Sequence, residues 1–477
     1  MLTTIIFKEI HDNILNLRFI VGFILCVLLT LSCVMILTHD YRQEVKDYGT
    51  RISQVDDFLG KYAHRNRLYP LILPQKPPDA FRPLMVGIPR DADLGSFDDN
   101  PLPAIFPPLD LMFIVTIIMS LLAILFSYDA VSGERESGTL KLISSNSVSR
   151  ASILVGKWVG GTISLLIPFL FSVLAGGLYI AIQPDLPWDT SAWLSFVMLV
   201  LASVTFISVF YLLGLFVSAV TRSAAVSILS SIFLWVLLVL VLPNLSPFLA
   251  AQLKRIPSVN KVNREVFHLT QEERDEVGRK LSQQVRDKYQ KQYGKPFEDY
   301  LALAENEIRA RVSADPQLMA MHESFRKEVD QAWEEANRIQ GEKARKIQED
   351  LKLKAESQTR LARQLACLSP YADYAFTATD ISGTGMRSLR YFEGITEEYS
   401  GVLWDYLQKK EVAAKARDPL FDENSFIDLG DRPRFEYREE PLRARLKGVL
   451  PYWGVLLVFN CIFFAGAFVA FIRYDVR

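Results

Sequence analysis

Six stretches of roughly twenty apolar residues, almost free of ionisable side chains, constrain this chain more than any other feature. They run approximately from Phe19 to Thr38, Leu109 to Ser127, Trp158 to Ile182, Trp193 to Val220, Ala224 to Leu242 and Val449 to Ile472. A bilayer core offers no water to the backbone, so such a stretch must satisfy its own N–H and C=O groups as a helix. Buried helices of a soluble protein would instead carry one apolar stripe and one polar face. Residues of the chain are 50% hydrophobic and 22% charged, with a mean hydropathy of +0.15, so the two kinds must be segregated along it. That pattern is membrane spans plus a water-facing domain.

The formal net charge of −1 carries no basic footprint, which argues against a nucleic-acid partner. Of four cysteines, Cys26, Cys33 and Cys461 lie in apolar runs and only Cys367 in a polar region, so no disulfide scaffold is available. The first apolar run is too long for a signal peptide, and no small-residue cleavage pattern follows in LTHDYRQEV. It reads as a retained signal anchor.

Basic residues near span ends set orientation, because Lys and Arg are held on the cytoplasmic side. Lys8, Arg18, Arg135, Lys141, Arg150, Lys157, Arg222, Arg473 and Arg477 fall on one side if the N-terminus is inside, while the loop QPDLPWDTS has neither Lys nor Arg. The expectation is a multi-pass inner (plasma) membrane protein with both termini cytoplasmic. This arrangement puts two larger segments outside, about Asp40 to Pro107 and about Pro243 to Lys447. The first is rich in Pro, unsuited to a continuous helix, and is expected to pack on the second.

The second outer segment contains a helical stretch from about Pro316 to Leu368, without internal Pro. Leu318, Met321, Phe325, Val329, Ala332, Ala336 and Ile339 recur at steps of three and four, the spacing of a helix seam. As one helix it would rise roughly 75 Å at 1.5 Å per residue. A stretch from about Gln271 to Lys291, ended by YGKPF, is its expected antiparallel partner. This stalk reads either as a docking surface or as a solvated spacer. Tyr371, Tyr374, Phe376, Tyr391, Phe392 and Trp404 read as a satellite core.

The loop after the second span, FSYDAVSGERESGTLKLISSNSVSRASILVGKW, joins a charged half to an amphipathic half. Ser137 or Thr139 beside Gly138 can start a short helix carrying Leu140, Leu142 and Ile143, of the kind that lies on a membrane surface or in a partner's groove. As an ordinary juxtamembrane loop, its basic residues would simply enforce orientation.

These residues resemble type-2 ABC exporter permeases, which carry E-x-x-x-G-T-L, a Pro-Val-Ser-Arg-like turn and an apolar step into Gly-Lys. The matching positions are Glu134, Gly138, Thr139, Leu140, Val148, Ser149, Arg150, Ile153, Leu154, Gly156 and Lys157, with Ser147 where proline is usual. FKEIHDNILNLRF is similar to the family's amphipathic elbow helix, and the large insertion before the sixth span is similar to the branch associated with multicopper-enzyme maturation. The resemblance does not cover the outer domain.

It implies a coupling helix that docks on a separate ATPase, with Glu134, Arg135, Glu136, Gly138, Thr139, Leu140, Arg150 and Lys157 as the coupling residues. No G-x-x-x-x-G-K-[ST] loop occurs in the chain, so ATP and Mg are expected on the partner ATPase, with no cofactor and no catalytic residue in this chain. Two permease protomers, identical or not, would pair with two ATPase subunits. Further expected partners are membrane lipid and an extracytoplasmic protein.

Weaker signals carry less. Met319, Met321 and His322 are soft metal ligands, but adjacent helix residues diverge, and His64, His268 and His322 lack zinc spacing, so no metal site is expected. Gly160, Gly161, Gly176, Gly177 and Pro168 in the third span suit close packing or a kink. Ser203, Thr205, Ser208, Ser227, Ser230 and Ser231 suit local helix bonds or a polar path. An ion-coupled transporter would place Asp, Glu or His inside the spans, which have essentially none. A scaffold or sensor acting on an outer partner without moving a solute is the alternative.

The expected fold is an all-α membrane protein with six transmembrane helices and a large, mainly helical extracytoplasmic domain inserted between the fifth and sixth. The expected segments are 1–38 (elbow helix and first span), 39–108 (outer loop), 109–242 (spans two to five, coupling loop 128–157), 243–448 (stalk domain) and 449–477 (sixth span and tail).

Overall fold

The computed structural model describes residues 2–61, 74–87, 108–139, 149–186, 188–303, 315–417 and 429–473. Among these the chain is all helical, with no strand and with six helices long and apolar enough to cross a membrane. α1 (Leu2–Ile14) precedes α2 (Leu17–Lys61). Next come α3 (111–127), the short α4 (Ser132–Glu136), α5 (Arg150–Ala181), α6 (Thr190–Val220) and α7 (Ala224–Leu253). Then follow α8 (Val259–Tyr293), α9 (Lys295–Leu301), α10 (Pro316–Ala366), α11 (Pro370–Ser382), α12 (Met386–Arg417) and α13 (Leu442–Ile472). All six expected spans are present. Several helices outrun them, because a helical backbone can continue past the apolar stretch into water.

Short polar side chains start these helices by accepting orphan N–H groups of the first turn. Asp110 accepts from Phe113 N at 2.9 Å, Ser149 from Ser152 N at 3.1 Å and Asp189 from Ala192 N at 2.7 Å. Two spans change register midway: Ile114–Met119 in α3 and Val236–Val241 in α7 are π-helical. A π turn leaves a carbonyl without its ordinary helical partner, and the Ser369 hydroxyl donates to one of them, Leu238 O. The Trp235 indole, just before the second π segment, donates to Ser120 Oγ, just after the first, at 2.7 Å.

The chain divides into two compact units, 1–244 with 366–477, and 245–365. In the first, α11 lies against α6 and α13, and Tyr374 hydrogen-bonds Ser203 at 2.8 Å and packs on Phe206. Tyr374 therefore belongs to the main core, whereas Trp404 is 55% exposed. The aromatics grouped from sequence as one satellite core thus divide, because α11 is apolar enough on one face to enter the bundle. Residues 74–87 pack where α11 meets α12: Lys76 Nζ donates to Ser388 Oγ at 2.8 Å, and Ser382 Oγ donates to Met85 Sδ.

The second unit is an antiparallel hairpin of α8 and α10. Lys288 pairs with Glu328 at 2.7 Å and Lys343 with Glu273 at 2.6 Å, which fixes the register along it. Met321, Phe325, Ala332 and Ala336 of the expected seam are buried. Gly294, at φ +57°, turns α8 into α9, and Tyr289, Phe297, Tyr300, Met321 and Phe325 close an aromatic core there.

Candidate functional site

α1 lies along the first turns of α5 because α5 presents glycines there. A Cβ on Gly156 would come within 2.6 Å of Ile5 Cγ2, and one on Gly160 within 3.0 Å of Ile6 O and 2.8 Å of Glu9 Cβ. That approach carries Glu9 to Lys157, one helical turn before Gly160. Lys157 Nζ is 2.9 Å from Glu9 and 2.7 Å from Glu134, and its side chain is 4% exposed. One buried ammonium thus fastens the N-terminal helix and the loop after α3 to α5. Charge-assisted bonds of this kind tolerate little displacement.

The other expected coupling charges also turn toward the protein. Arg135 donates to Thr221 O at 2.7 Å and Ala219 O at 3.1 Å, the end of α6. Arg150 donates to Ile472 O at 2.6 Å and Phe471 O at 3.3 Å, the end of α13. Cations suit helix C-termini, where the last carbonyls lack partners and the macrodipole is negative. Glu136 accepts from Ala224 N at 3.3 Å, the positive end of α7. The Ser218 hydroxyl receives the amides of Val131 and Ser132, each at 3.0 Å, and Ser227 Oγ donates to Tyr128 O at 2.6 Å. Arg18, at the start of α2, donates to Asp129 at 2.9 Å and Tyr128 Oη at 2.8 Å.

The loop is therefore tied to α1, α2, α5, α6 and α7, and α5 to α13, at one end of the bundle. Glu136, Ser137, Gly138 and Thr139 remain exposed, with Gly138 in the left-handed region at φ +74°. Leu140 and Val148 lie outside the described residues. The residues expected as charged contacts, Glu134, Arg135, Glu136, Arg150 and Lys157, all make internal bonds, and among the described residues of 128–157 the exposed ones are 136–139, Ser149 and Ala151. Reading the chain in sequence missed Glu9, Arg18, Asp129, Ser218 and Tyr211, whose hydroxyl donates to Lys157 O at 3.1 Å. For Glu9 a signal existed: it shares a face with Ile5 at the four-residue spacing that meets Gly156 and Gly160.

This architecture of six spans and an amphipathic N-terminal helix fastened to the loop after the second span agrees with the family match, which covers residues 3–396 under the description ABC-2 family transporter protein. The chain belongs to that family. With its six long apolar helices it is a multi-pass membrane protein of that family. Among curated relatives, a probable ABC transporter permease protein NosY from Stutzerimonas stutzeri is 39% identical over 69 residues, 14% of this chain and 25% of that protein. Its namesake from Pseudomonas aeruginosa is 36% identical over 73 residues, 15% of this chain and 26% of that protein. The chain thus aligns with about a quarter of the length of these relatives.

Proposed function

We propose that this permease couples ATP hydrolysis by a separate ABC ATPase subunit to movement of its spans and of an outer domain, in an export or extracytoplasmic maturation role. Segment 128–157 is the coupling loop: 136–139, together with Leu140, meet the ATPase, and Glu134, Arg135, Arg150 and Lys157 carry its displacement inward. ATP and Mg sit on the ATPase, and two permease protomers assemble with two ATPases. Both termini are cytoplasmic, in keeping with the one-sided Lys and Arg near the span ends. Segments 39–108 and 243–448 are then extracytoplasmic, between 1–38, 109–242 and 449–477 in the membrane and cytoplasm.

The observation that carries this reading is that one loop, exposed at 136–139, is bonded to the ends of so many helices. A displacement of a few ångströms at 136–139 must be shared by them or break charge-assisted bonds. Purification from native membranes through a C-terminal tag tests the assembly. Recovery of a P-loop ATPase with ATP turnover is the expected result. Its absence would move the function to a scaffold or sensor acting on an outer partner.

A further inference from the structure

At the end of the first unit away from the coupling loop, the first turns of α6 and α13 and the α11–α12 junction enclose a cavity of about 300 Å³. Arg445 lines it and is 7% exposed. Its Nη1 donates to Ile381 O at 3.3 Å, its Nη2 stands 3.6 Å from Glu439, beyond hydrogen-bonding distance, and its Nε has no partner. A guanidinium so buried costs several kcal/mol unless its donors are met.

The neighbouring charges do not complete it. Lys76 pairs with Asp79 at 2.6 Å, and Arg387 holds Glu440 in a fork at 2.7 and 2.8 Å. Glu439, with its side chain 61% exposed, and the exposed Asp189 remain at the rim. Burial first, then Asp79 and Glu439, push the Tyr437 phenol up to about 12, against the opposing Ser388 hydrogen bond and Arg445 charge. A lone anion would be repelled by these carboxylates and a lone cation by Arg445, so the lining suits a group carrying both charges close together.

The depth suggests its source. Phe81 lines the cavity and stacks on Trp188 at 5.3 Å, which meets Trp193 edge-on at 5.2 Å, an aromatic cluster where α6 begins. Trp and Tyr concentrate at the headgroup level of membranes.

We propose that this cavity binds a phosphate–primary-ammonium pair, the headgroup of a phosphatidylethanolamine. The phosphate completes Arg445, while the ammonium donates to Glu439 and Asp189. A quaternary ammonium cannot donate these bonds, and a glycerol headgroup lacks the cation.

Native mass spectrometry of the full-length protein tests this during stepwise delipidation with phosphatidylethanolamine, phosphatidylcholine and phosphatidylglycerol supplied in turn. The wild type retains one phosphatidylethanolamine per chain after the other two are lost. Arg445→Gln and Glu439→Gln each weaken retention at least about tenfold. Should Arg445→Gln fail to fold, Glu439→Gln decides, because that side chain is largely in water. Competition by free O-phosphoethanolamine separates the sources: binding of it without retention of the lipid assigns the site to a soluble zwitterion of the same chemistry. Equal retention of all three lipids, retention unchanged in Glu439→Gln, or binding of neither probe overturns the proposal.

Discussion

Replacing Lys157 by Met keeps most of the side-chain volume and removes the charge, leaving Glu9 and Glu134 facing the same buried point. Both had bonded one ammonium, at 2.9 and 2.7 Å. Removing one member of a fully buried ion pair costs about 3–5 kcal/mol, because the survivor is left desolvated. Here the carboxylates are 17% and 19% exposed, so water screens part of the loss and the lower end, about 3 kcal/mol, applies. The expected fall in thermal midpoint is about 3 °C, read by size-exclusion recovery of detergent-solubilised protein after heating. Adding Glu9→Gln and Glu134→Gln to Lys157→Met removes the unpaired charges and restores most of the loss. An unchanged midpoint in the single variant, or a triple variant no better than the single, would refute the electrostatic account. In that case α1 is held to α5 by glycine packing alone.

Gly160→Val tests the packing directly. Its Cβ would stand 3.0 Å from Ile6 O and 2.8 Å from Glu9 Cβ, so α1 must shift, at an overpacking cost of about 1–3 kcal/mol. Maleimide labelling of a cysteine introduced at position 6 should speed up, and an unchanged rate would contradict that placement. Phe325→Ala removes the ring that meets Phe297 at 5.0 Å and Tyr289 at 5.3 Å, at a cost of about 3–5 kcal/mol. Limited proteolysis of the full chain should then cut within 245–365 first while the spans stay intact; unchanged cleavage would show that this cluster does not hold the hairpin. Arg150→Gln releases the last carbonyls of α13, and hydrogen exchange at 469–472 should rise by about two- to tenfold, corresponding to roughly 0.4–1.4 kcal/mol of lost C-terminal stabilisation.

The spans were legible in the sequence because nothing but a membrane helix accommodates some twenty apolar residues in a row. The seam of α10 was legible for a similar reason: steps of three and four from Leu318 to Ile339 have one helical meaning. What the sequence concealed was direction. Arg135, Arg150 and Lys157 read as outward because juxtamembrane charges usually meet water, yet each finds a helix end or a carboxylate brought from far along the chain, such as Glu9. α11 was hidden by its length, since thirteen residues are too few to read as a span and Asp373 interrupts their apolar character. Its place against α6 and α7 depends on Tyr374 and Ser369 meeting partners more than a hundred residues away. The π segments left no mark at all in the runs IVTIIM and VLLVLV.

The account rests on the short exposed lip of the loop as the point where force enters. Cysteine substitution of Thr139 in a variant with the native cysteines replaced, followed by cross-linking to single cysteines on the co-purified ATPase, tests it most directly. The account predicts a cross-link at Thr139 whose yield changes between ATP-bound and nucleotide-free states, and none from position 157, where the side chain is enclosed. Cross-linking that ignores nucleotide, or that is absent at 139 in an intact complex, would contradict it.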